Sequence, residues 1–432
     1  MLGEPNNVAA LQSSLPTPRA RPKYLRWLLR LLAVVGPGIV VAFADTEAGS
    51  ITTAATSGAQ YGYALILLQV LLILPLFVVQ EMTVRLGTVT GKGHAQLIRE
   101  HYGLGWAWVS LGTMLVTNIA ALVTEFAGIA GAAMIFGVPP QPMVVLAAGT
   151  LAVVILTKSY KRAELFAFAL CAVELLFIPA AFAAHAPVSE IVTKGFFGKQ
   201  PLGDHNYLLL IASNIGAVIM PWMIFYQQSA TVDKGLKVRD LLFARIDTAI
   251  GAVSTQIIMC AVIITTAATL FVKHIPVSDA AHAALAFEPL VGRFAGVTFG
   301  AALIGASMLG AFVVSLATAW AFGEAFGWRC SLNDSSRARR FNALYVGSVM
   351  LAAAIVLIPN LPLVTITVNV EAFNGFVLPL VLGFLLVLVN DKRVIGARHN
   401  RLLGNVVTIG LSTVIVALGM WMLYMTFIPG AG

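Results

Sequence analysis

Long apolar stretches follow one another along almost the whole of this 432-residue chain, and they constrain its fold more than any other feature. A helix needs roughly 20 such residues to cross a bilayer. Only 11% of the residues are charged, whereas soluble domains carry about 25%. The sequence therefore predicts an all-α integral membrane protein. We place about eleven transmembrane helices, at 31–57, 62–84, 104–136, 141–157, 162–185, 206–229, 243–272, 294–327, 341–359, 363–390 and 404–428.

The basic residues indicate how these spans are oriented. All but four of the 27 Lys and Arg residues fall on alternate connections that share one side with residues 1–30. Short cytoplasmic loops carry an excess of Lys and Arg, so we expect 1–30 to form a cytoplasmic tail and the C-terminus to lie on the opposite side. The same topology accounts for the net charge of +8, so nucleic acid is not expected as a partner.

Two of the predicted spans contain polar, helix-breaking segments, at 36–50 and 213–222. Because backbone N–H and C=O groups in hydrocarbon need partners, such segments are tolerated where they line a cavity inside the protein. An ordinary kink is the alternative interpretation of either segment alone. Two breaks at matching positions are instead typical of transporters with two inverted halves, in which the solute lies between the interrupted helices.

This spacing predicts a five-plus-five inverted repeat with discontinuous helices 1 and 6. The ten-helix transporter core would cover 31–390, with the first repeat at 31–185 and the second at 206–390. The remaining span, at 404–428, would be an extra transmembrane helix.

Carboxyl groups in the middle of spans are a second functional signal, because an ionised side chain there costs a few kcal/mol and so tends to mark a site. Glu47, Glu125, Glu174 and Glu371 occupy such positions, and Asp45 lies close to Glu47. No Lys or Arg falls in the middle of a predicted span, so a transported cation is the expected counter-charge. Nearer the cytoplasmic ends, basic neighbours such as Arg85, Arg162 and Arg245 are expected to pair with Glu81, Glu164, Asp247 and Glu324.

Met220 is the sulfur ligand candidate at the second break, where it precedes Pro221. Oxygen ligands suit hard ions such as Mg²⁺ and Mn²⁺, and a thioether adds a preference for softer metals. Most methionines in such a chain face lipid or fill the core. The residues alone therefore leave Met220 a weak candidate.

These motifs resemble the Nramp (natural resistance-associated macrophage protein) family of divalent metal transporters, and the resemblance implies a leucine-transporter-like fold. The match begins at Gly36-Pro37-Gly38, and Glu47-Ala48-Gly49-Ser50-Ile51 aligns with the family's Asp-Pro-Gly-Asn-Ile. It continues at 85–91, at Thr124-Glu125, at 216–221 and around Pro379. The resemblance implies a metal site in which Glu47 replaces the family's aspartate and Ser50 its asparagine. It also implies that Ala217 offers a backbone carbonyl and that Met220 keeps the thioether.

The chain departs from the family at residues concerned with proton movement. Trp222 stands where the family has a histidine after Met-Pro, Gly128 replaces an acidic residue, and an earlier acidic position is Asn118. Only Glu125 keeps its acidic character. The departures predict weak or absent proton coupling, as in the family's divergent magnesium-transporting branch. Further candidates near the site are Asp45, Glu125, Trp222, Asn369 and Glu371.

The leading hypothesis is therefore a transporter of divalent cations, either Mg²⁺ or Mn²⁺/Fe²⁺-like, that works by alternating access in a cell membrane. Its expected partners are the transported ion and the lipid bilayer, with no cofactor. A secondary transporter of an organic, amino-acid-like solute on the same fold is the alternative, because the aromatic Trp222 suits such a ligand. An intramembrane enzyme is not expected, because the chain lacks a His-Glu-x-x-His motif or a nucleophile and base pair.

Overall fold

The structure is a computed structural model that describes residues 23–157, 159–275, 277, 292–334, 338–359, 361 and 363–427. Within them it leaves out the side chains of 23, 26, 363–369, 371–372, 376, 419 and 422–427. This part of the chain is built from helices and contains no strand.

The first half comprises nine helices. They are α1 (Lys23–Val34), α2 (Pro37–Ala44), α3 (Ala48–Tyr61), α4 (Ile66–Thr90), α5 (His94–Ile135), α6 (Pro140–Ile155), α7 (Tyr160–Glu174), α8 (Phe177–Ala183) and α9 (Val188–Phe196).

In the described residues after 196, eight further helices follow, and short 3₁₀ turns occur at Val238–Asp240, Leu332–Asp334 and Gly396–Arg398. The helices are α10 (His205–Val218), α11 (Pro221–Asp233), α12 (Leu241–Thr266), α13 (Arg293–Phe326), α14 (Arg339–Val356), α15 (Leu363–Asn390), α16 (Lys392–Ile395) and α17 (Leu402–Phe427).

The membrane spans predicted from the sequence correspond to these helices. In the described residues, eight helical segments are individually long and apolar enough to cross a bilayer, and α1 with α2 forms a ninth that is bent by 45°. Two shorter apolar helices, Pro140–Ile155 and Leu402–Leu418, occupy the two remaining predicted positions. The all-α membrane architecture and both discontinuous helices are thus confirmed. The division into repeats at 31–185 and 206–390 stays a prediction.

The N-terminal boundary differs from the predicted one. Helix α1 begins at Lys23, so the last eight residues of the predicted 1–30 tail are helical, and 1–22 lie outside the described residues. Arg30 pairs with Asp240 at 3.0 Å, and Trp27 packs on Phe243 with ring centroids 5.6 Å apart. These contacts fix α1 against the start of α12. The polar sequence of the tail did not indicate this contact.

The two interrupted helices lie in the centre of the bundle. Helices α2 and α3 pack along α12, and α11 packs between α4 and α13. The most buried span is α13, which also runs along α5. Small residues allow these close approaches, since a β-carbon on Gly38 would lie 2.7 Å from the Thr248 amide nitrogen.

The N-terminus of α2 is held by a buried carboxyl group from α12. Asp247 accepts hydrogen bonds from the backbone N–H groups of Gly38 at 2.7 Å, Gly36 at 3.2 Å and Ile39 at 3.3 Å. A helix N-terminus leaves such N–H groups without intrahelical partners and carries a partial positive charge. The prediction that Asp247 pairs with a basic neighbour is therefore wrong, because backbone donors surround it instead.

The other acidic groups at this basic end of the bundle follow the prediction in part. Glu81 pairs with Arg85 at 3.1 Å and with Arg245 at 2.7 Å, as expected. Glu164 instead pairs with Lys234 at 2.6 Å. A third carboxyl group, Glu324, accepts a hydrogen bond from Ser229 at 2.5 Å rather than pairing with a basic side chain. Lys234 also donates to the carbonyl of Val35 at 2.6 Å, so this end of the first interrupted helix is tied down.

We expect Asp247→Ala to destabilise the protein by about 2 kcal/mol, because three buried N–H groups lose their acceptor. Asp247→Asn keeps one acceptor oxygen and should lose less. The unfolding midpoint in detergent measures both effects. Glu190→Ala is the control, since Glu190 forms an exposed pair with Lys194. Equal midpoints for Asp247→Ala and the control would contradict the capping role.

Candidate functional site

The first break separates α2 from α3 in the middle of the first span. Helix α2 ends at Ala44, and Glu47 adopts an extended conformation with φ −65° and ψ 175° before α3 begins at Ala48. Glu47 is completely buried. The break thus places an acidic side chain and two helix ends in the centre of the bundle, as the sequence predicts.

The second break separates α10 from α11. Helix α10 ends at Val218, Ile219 and Met220 are extended, and Pro221 occupies the first turn of α11. Proline lacks the N–H group of a continuing helix, so it begins a helix more readily than it extends one. Met220 is completely buried.

The two breaks are joined by one hydrogen bond. Ser50 Oγ donates to the carbonyl oxygen of Ala217 at 2.9 Å. Ala217 lies in the last turn of α10, where carbonyl groups have no intrahelical partner. Both residues are completely buried. The structure therefore brings Ser50 of the first break to Ala217 of the second, which is the juxtaposition that the predicted site requires.

Met220 and Trp222 lie at the second break and contact each other. The indole Nε1–H of Trp222 donates to the Met220 sulfur at 3.1 Å. Trp222 is 1% exposed, and an indole N–H is a donor only. This position therefore offers the site an aromatic surface and no group that titrates.

Glu125 approaches the first break from α5. Its Oε2 accepts a hydrogen bond from the backbone N–H of Ala48 at 3.3 Å, at the N-terminus of α3. The facing position on α13 is Gly310, where a β-carbon would overlap the Glu125 carboxyl group. Glu125 is thus a buried carboxyl group beside the break.

Gly128 lies one turn further along α5 and explains the missing acidic residue. A β-carbon there would lie 2.5 Å from both the Ala48 β-carbon and the Ser307 hydroxyl. The space that a longer side chain needs is occupied by α3 and α13. Asn118, the other altered position, donates to Thr318 Oγ1 at 2.8 Å and so belongs to the contact between α5 and α13.

Asp45 does not contact the residues that join the two breaks. Its carboxyl group accepts a hydrogen bond from Gln80 of α4 at 3.3 Å, and Gln80 also donates to the Met223 sulfur. The side chains of Asn369 and Glu371 lie outside the described residues. Neither prediction for these two residues is tested.

A second polar network connects the two interrupted helices near the end of the bundle that lies opposite the basic end. The sequence analysis did not predict these contacts. Asn214 of α10 donates to Ser57 of α3 at 2.8 Å and accepts from Gln69 of α4 at 2.6 Å. At the same end, Tyr61 donates to Asp204 at 2.8 Å. The polar runs Ser213-Asn214 and Thr56-Ser57 were the available signal. This network joins α10 to α3 and α4.

The set of donors determines which chemistry the site permits. The described residues contain no group of three or more His, Cys, Asp or Glu side chains that would hold a metal ion by themselves. The central residues instead offer a carboxyl group, a hydroxyl, a backbone carbonyl and a thioether, contributed by Glu47, Ser50, Ala217 and Met220. These groups suit the transient binding of a cation better than catalysis.

An all-helical bundle whose two interrupted helices meet at a buried polar site is the architecture of membrane transporters of the leucine-transporter-like class. A family model described as natural resistance-associated macrophage protein-like matches residues 38–425. The chain belongs to this family, Nramp.

Curated relatives cover much or nearly all of the chain. A divalent metal cation transporter MntH from Erwinia tasmaniensis is 29% identical over 297 residues, which is 66% of this chain and 70% of the relative. MntH 1 from Pseudomonas aeruginosa is 30% identical over 67% of this chain and 69% of its own length. MntH from Verminephrobacter eiseniae is 26% identical over 93% of this chain and 91% of the relative.

Solved structures agree on the fold. The Eremococcus coleocola manganese transporter, crystallised with an aromatic bis-isothiourea compound, has a TM-score of 0.72 at 19% identity, covering 97% of this chain and 92% of its own. MhsT in complex with L-phenylalanine has a TM-score of 0.62 at 14% identity, covering 90% and 98%. Both neighbours support the leucine-transporter-like fold.

We expect Gly128→Ala to destabilise the protein by about 1–3 kcal/mol, because its new methyl group meets Ala48 and Ser307 in a packed core. Gly112→Ala is the matched control on the same helix, since a β-carbon at Gly112 meets nothing within 4 Å. The control should be neutral or slightly stabilising. Unfolding midpoints in detergent compare the two, and a Gly128→Ala midpoint equal to that of Gly112→Ala would contradict the close packing.

Proposed function

We propose that this protein transports divalent metal ions by alternating access, with the ion bound by Glu47, Ser50, the Ala217 carbonyl and Met220. The hydrogen bond between Ser50 and Ala217 carries the proposal, because it brings oxygen donors from both breaks to one point. A cation placed there would replace the shared hydrogen and gain both oxygens as ligands. Glu47 lies close to Ser50 in the sequence, Met220 lies close to Ala217, and both side chains are buried.

The balance of charge supports a cation as the cargo. Glu125 lies beside the break, and its contact with the Ala48 N–H leaves it able to interact with a bound ion through space. A divalent ion would neutralise the negative charge of Glu47 and Glu125 together. The printed names of the curated relatives, which are divalent metal cation transporters, agree with this choice.

The identity of the ion depends on the balance between sulfur and oxygen ligands. The Met220 thioether favours Mn²⁺ or Fe²⁺ over Mg²⁺, since soft ligands select softer metals. Replacing the family's aspartate and asparagine by Glu47 and Ser50 changes the reach of both oxygen ligands. Such a site also suits Mg²⁺, which keeps several of its waters when bound. Both ions therefore belong in the test.

We further propose that proton coupling is weak or absent. Trp222 has no group that takes up a proton, and its N–H is engaged with the Met220 sulfur. Gly128 lies where packing leaves no room for an acidic side chain. The proposal places the N-terminus in the cytoplasm and the C-terminus on the outer side of a cell membrane, following the distribution of Lys and Arg.

An amino-acid-like solute is the alternative cargo. The observation that favours it is the buried aromatic face of Trp222 beside Met220. Such a carrier would bind its solute without a requirement for Mn²⁺ or Mg²⁺. The titration below separates the two cargoes.

We expect Met220→Ala to lower the affinity for Mn²⁺ by about tenfold, equivalent to about 1.4 kcal/mol, and to leave Mg²⁺ binding nearly unchanged. The reason is that the thioether contributes more to the softer ion. Isothermal titration of purified protein with each ion measures both affinities. Met350→Ala is the matched control, because Met350 is 52% exposed on α14. Glu47→Gln should abolish binding of both ions.

Two results of this titration would count against the proposal. Equal losses for Mn²⁺ and Mg²⁺ in Met220→Ala would contradict a direct thioether ligand. Failure of the unmodified protein to bind either ion would contradict the metal function itself and favour an organic solute.

We expect metal uptake into proteoliposomes to proceed with little internal acidification. The physical reason is that Trp222 and Gly128 provide no group that carries a proton beside the ion. A dye that reports internal pH, read together with metal flux, measures the ratio of protons to ions. Acidification comparable to the metal flux would contradict weak coupling.

A further inference from the structure

Glu174 is a buried carboxyl group for which the proposed site has no use. It is the last residue of α7 and is completely buried. Its Oε2 contacts the hydroxyl oxygen of Thr46, which lies in the first break. Its Oε1 accepts no hydrogen bond from the described residues. The contact connects α7 to the segment that separates α2 from α3.

The hydrogens available at this contact can be counted. The Thr46 hydroxyl carries one hydrogen, yet its oxygen lies within hydrogen-bond distance of both Glu174 Oε2 and the Phe43 carbonyl oxygen, the latter at 2.6 Å. If Glu174 were ionised, one of these two oxygen contacts would have no hydrogen and would be repulsive. If Glu174 carries a proton, it donates to Thr46, and Thr46 donates to Phe43. Every contact then has its own hydrogen.

The surroundings of Glu174 offer no compensation for a negative charge. Helix α7 packs against α2, α6 and α13. Of these, α2 and α6 carry no charged or titratable side chain, and those of α13 are Arg293 and Glu324 at its two ends. Cys171, one turn earlier on α7, is the nearest titratable group of its own helix, and the break adds the acidic Asp45 and Glu47. A buried carboxylate without a cationic partner is strongly disfavoured.

We propose that Glu174 and Thr46 form a proton-binding site in which Glu174 is protonated while the first interrupted helix has its present conformation. The bound proton links α7 to the break through the chain Glu174–Thr46–Phe43. Alternating access requires the interrupted helix to move, and a movement that separates Thr46 from Glu174 removes the acceptor of this proton. Proton binding and the conformational equilibrium are then coupled, without net movement of protons across the membrane.

The test compares the pH dependence of metal uptake by the unmodified protein and by Glu174→Gln, with equal pH on both sides of the proteoliposome. Gln is neutral and its amide can donate to Thr46, so it imitates the protonated carboxyl group. The ratio of the two uptake rates should approach one at low pH. At higher pH it should depart from one by up to about tenfold per pH unit, the limit for linkage to a single proton. Titration of Glu47 affects both proteins and cancels from the ratio.

Glu190→Gln is the matched control, because it removes an exposed carboxyl group that pairs with Lys194. Its uptake ratio to the unmodified protein should stay constant with pH. A ratio for Glu174→Gln that is equally constant would overturn the proposal. The effect of Glu174 on uptake rests on the proposed function. If the unmodified protein takes up no metal, the proposed function is refuted. If uptake is normal and the pH profiles of the unmodified protein and Glu174→Gln are identical, the proton site alone is refuted.

Infrared spectroscopy gives a second measurement that does not depend on transport. A protonated carboxyl group has a C=O stretching band that a carboxylate lacks. At neutral pH this band should have the same intensity in the unmodified protein and in Glu190→Gln, and it should be weaker in Glu174→Gln by the contribution of one carboxyl group. Spectra of all three proteins that show no such difference would overturn the proposal even where Glu174→Gln folds poorly and transports little.

Discussion

Backbone groups released by the two helix breaks must find partners inside the protein, and this requirement organises the centre of the molecule. Ser50 donates to the free carbonyl of Ala217, and Glu125 accepts from the free N–H at the start of α3. Asp247 does the same for the start of α2. Each partner comes from a different element. The breaks are therefore the positions at which α3, α5 and α10 are fixed relative to one another, and Asp247 fixes α2 to α12.

The distribution of charge divides the bundle into two electrostatic regions. At the basic end, Glu81 and Glu164 pair with Arg and Lys side chains. In the centre, the acidic groups face hydroxyl, amide and backbone donors instead. The acids in the centre keep a capacity for a cation, because the segments that contain the two breaks, 36–61 and 205–233, have no Lys or Arg.

The sequence was sufficient to predict features that depend on local composition. Apolar length gave the spans, and the runs around Pro37 and Pro221 gave both breaks, because these signals act within one helix. Partner choices were harder to predict. Glu164 pairs with Lys234 rather than with its neighbour Arg162, and Asp247 accepts from backbone N–H groups. These choices depend on which helices pack together, and a single sequence does not carry that information.

Gly128 and Trp222, the two positions near the site that differ from the family, are both well packed in their present form. A glycine that merely lacked a side chain would leave a void, but the space beside Gly128 is filled by Ala48 and Ser307. Trp222 likewise gives its N–H to the sulfur of Met220. Gly128 and Trp222 therefore both pack against uncharged side chains. A proton in this region is then expected at a carboxyl group with its own hydrogen-bonded acceptor, and Glu174 beside Thr46 meets that condition.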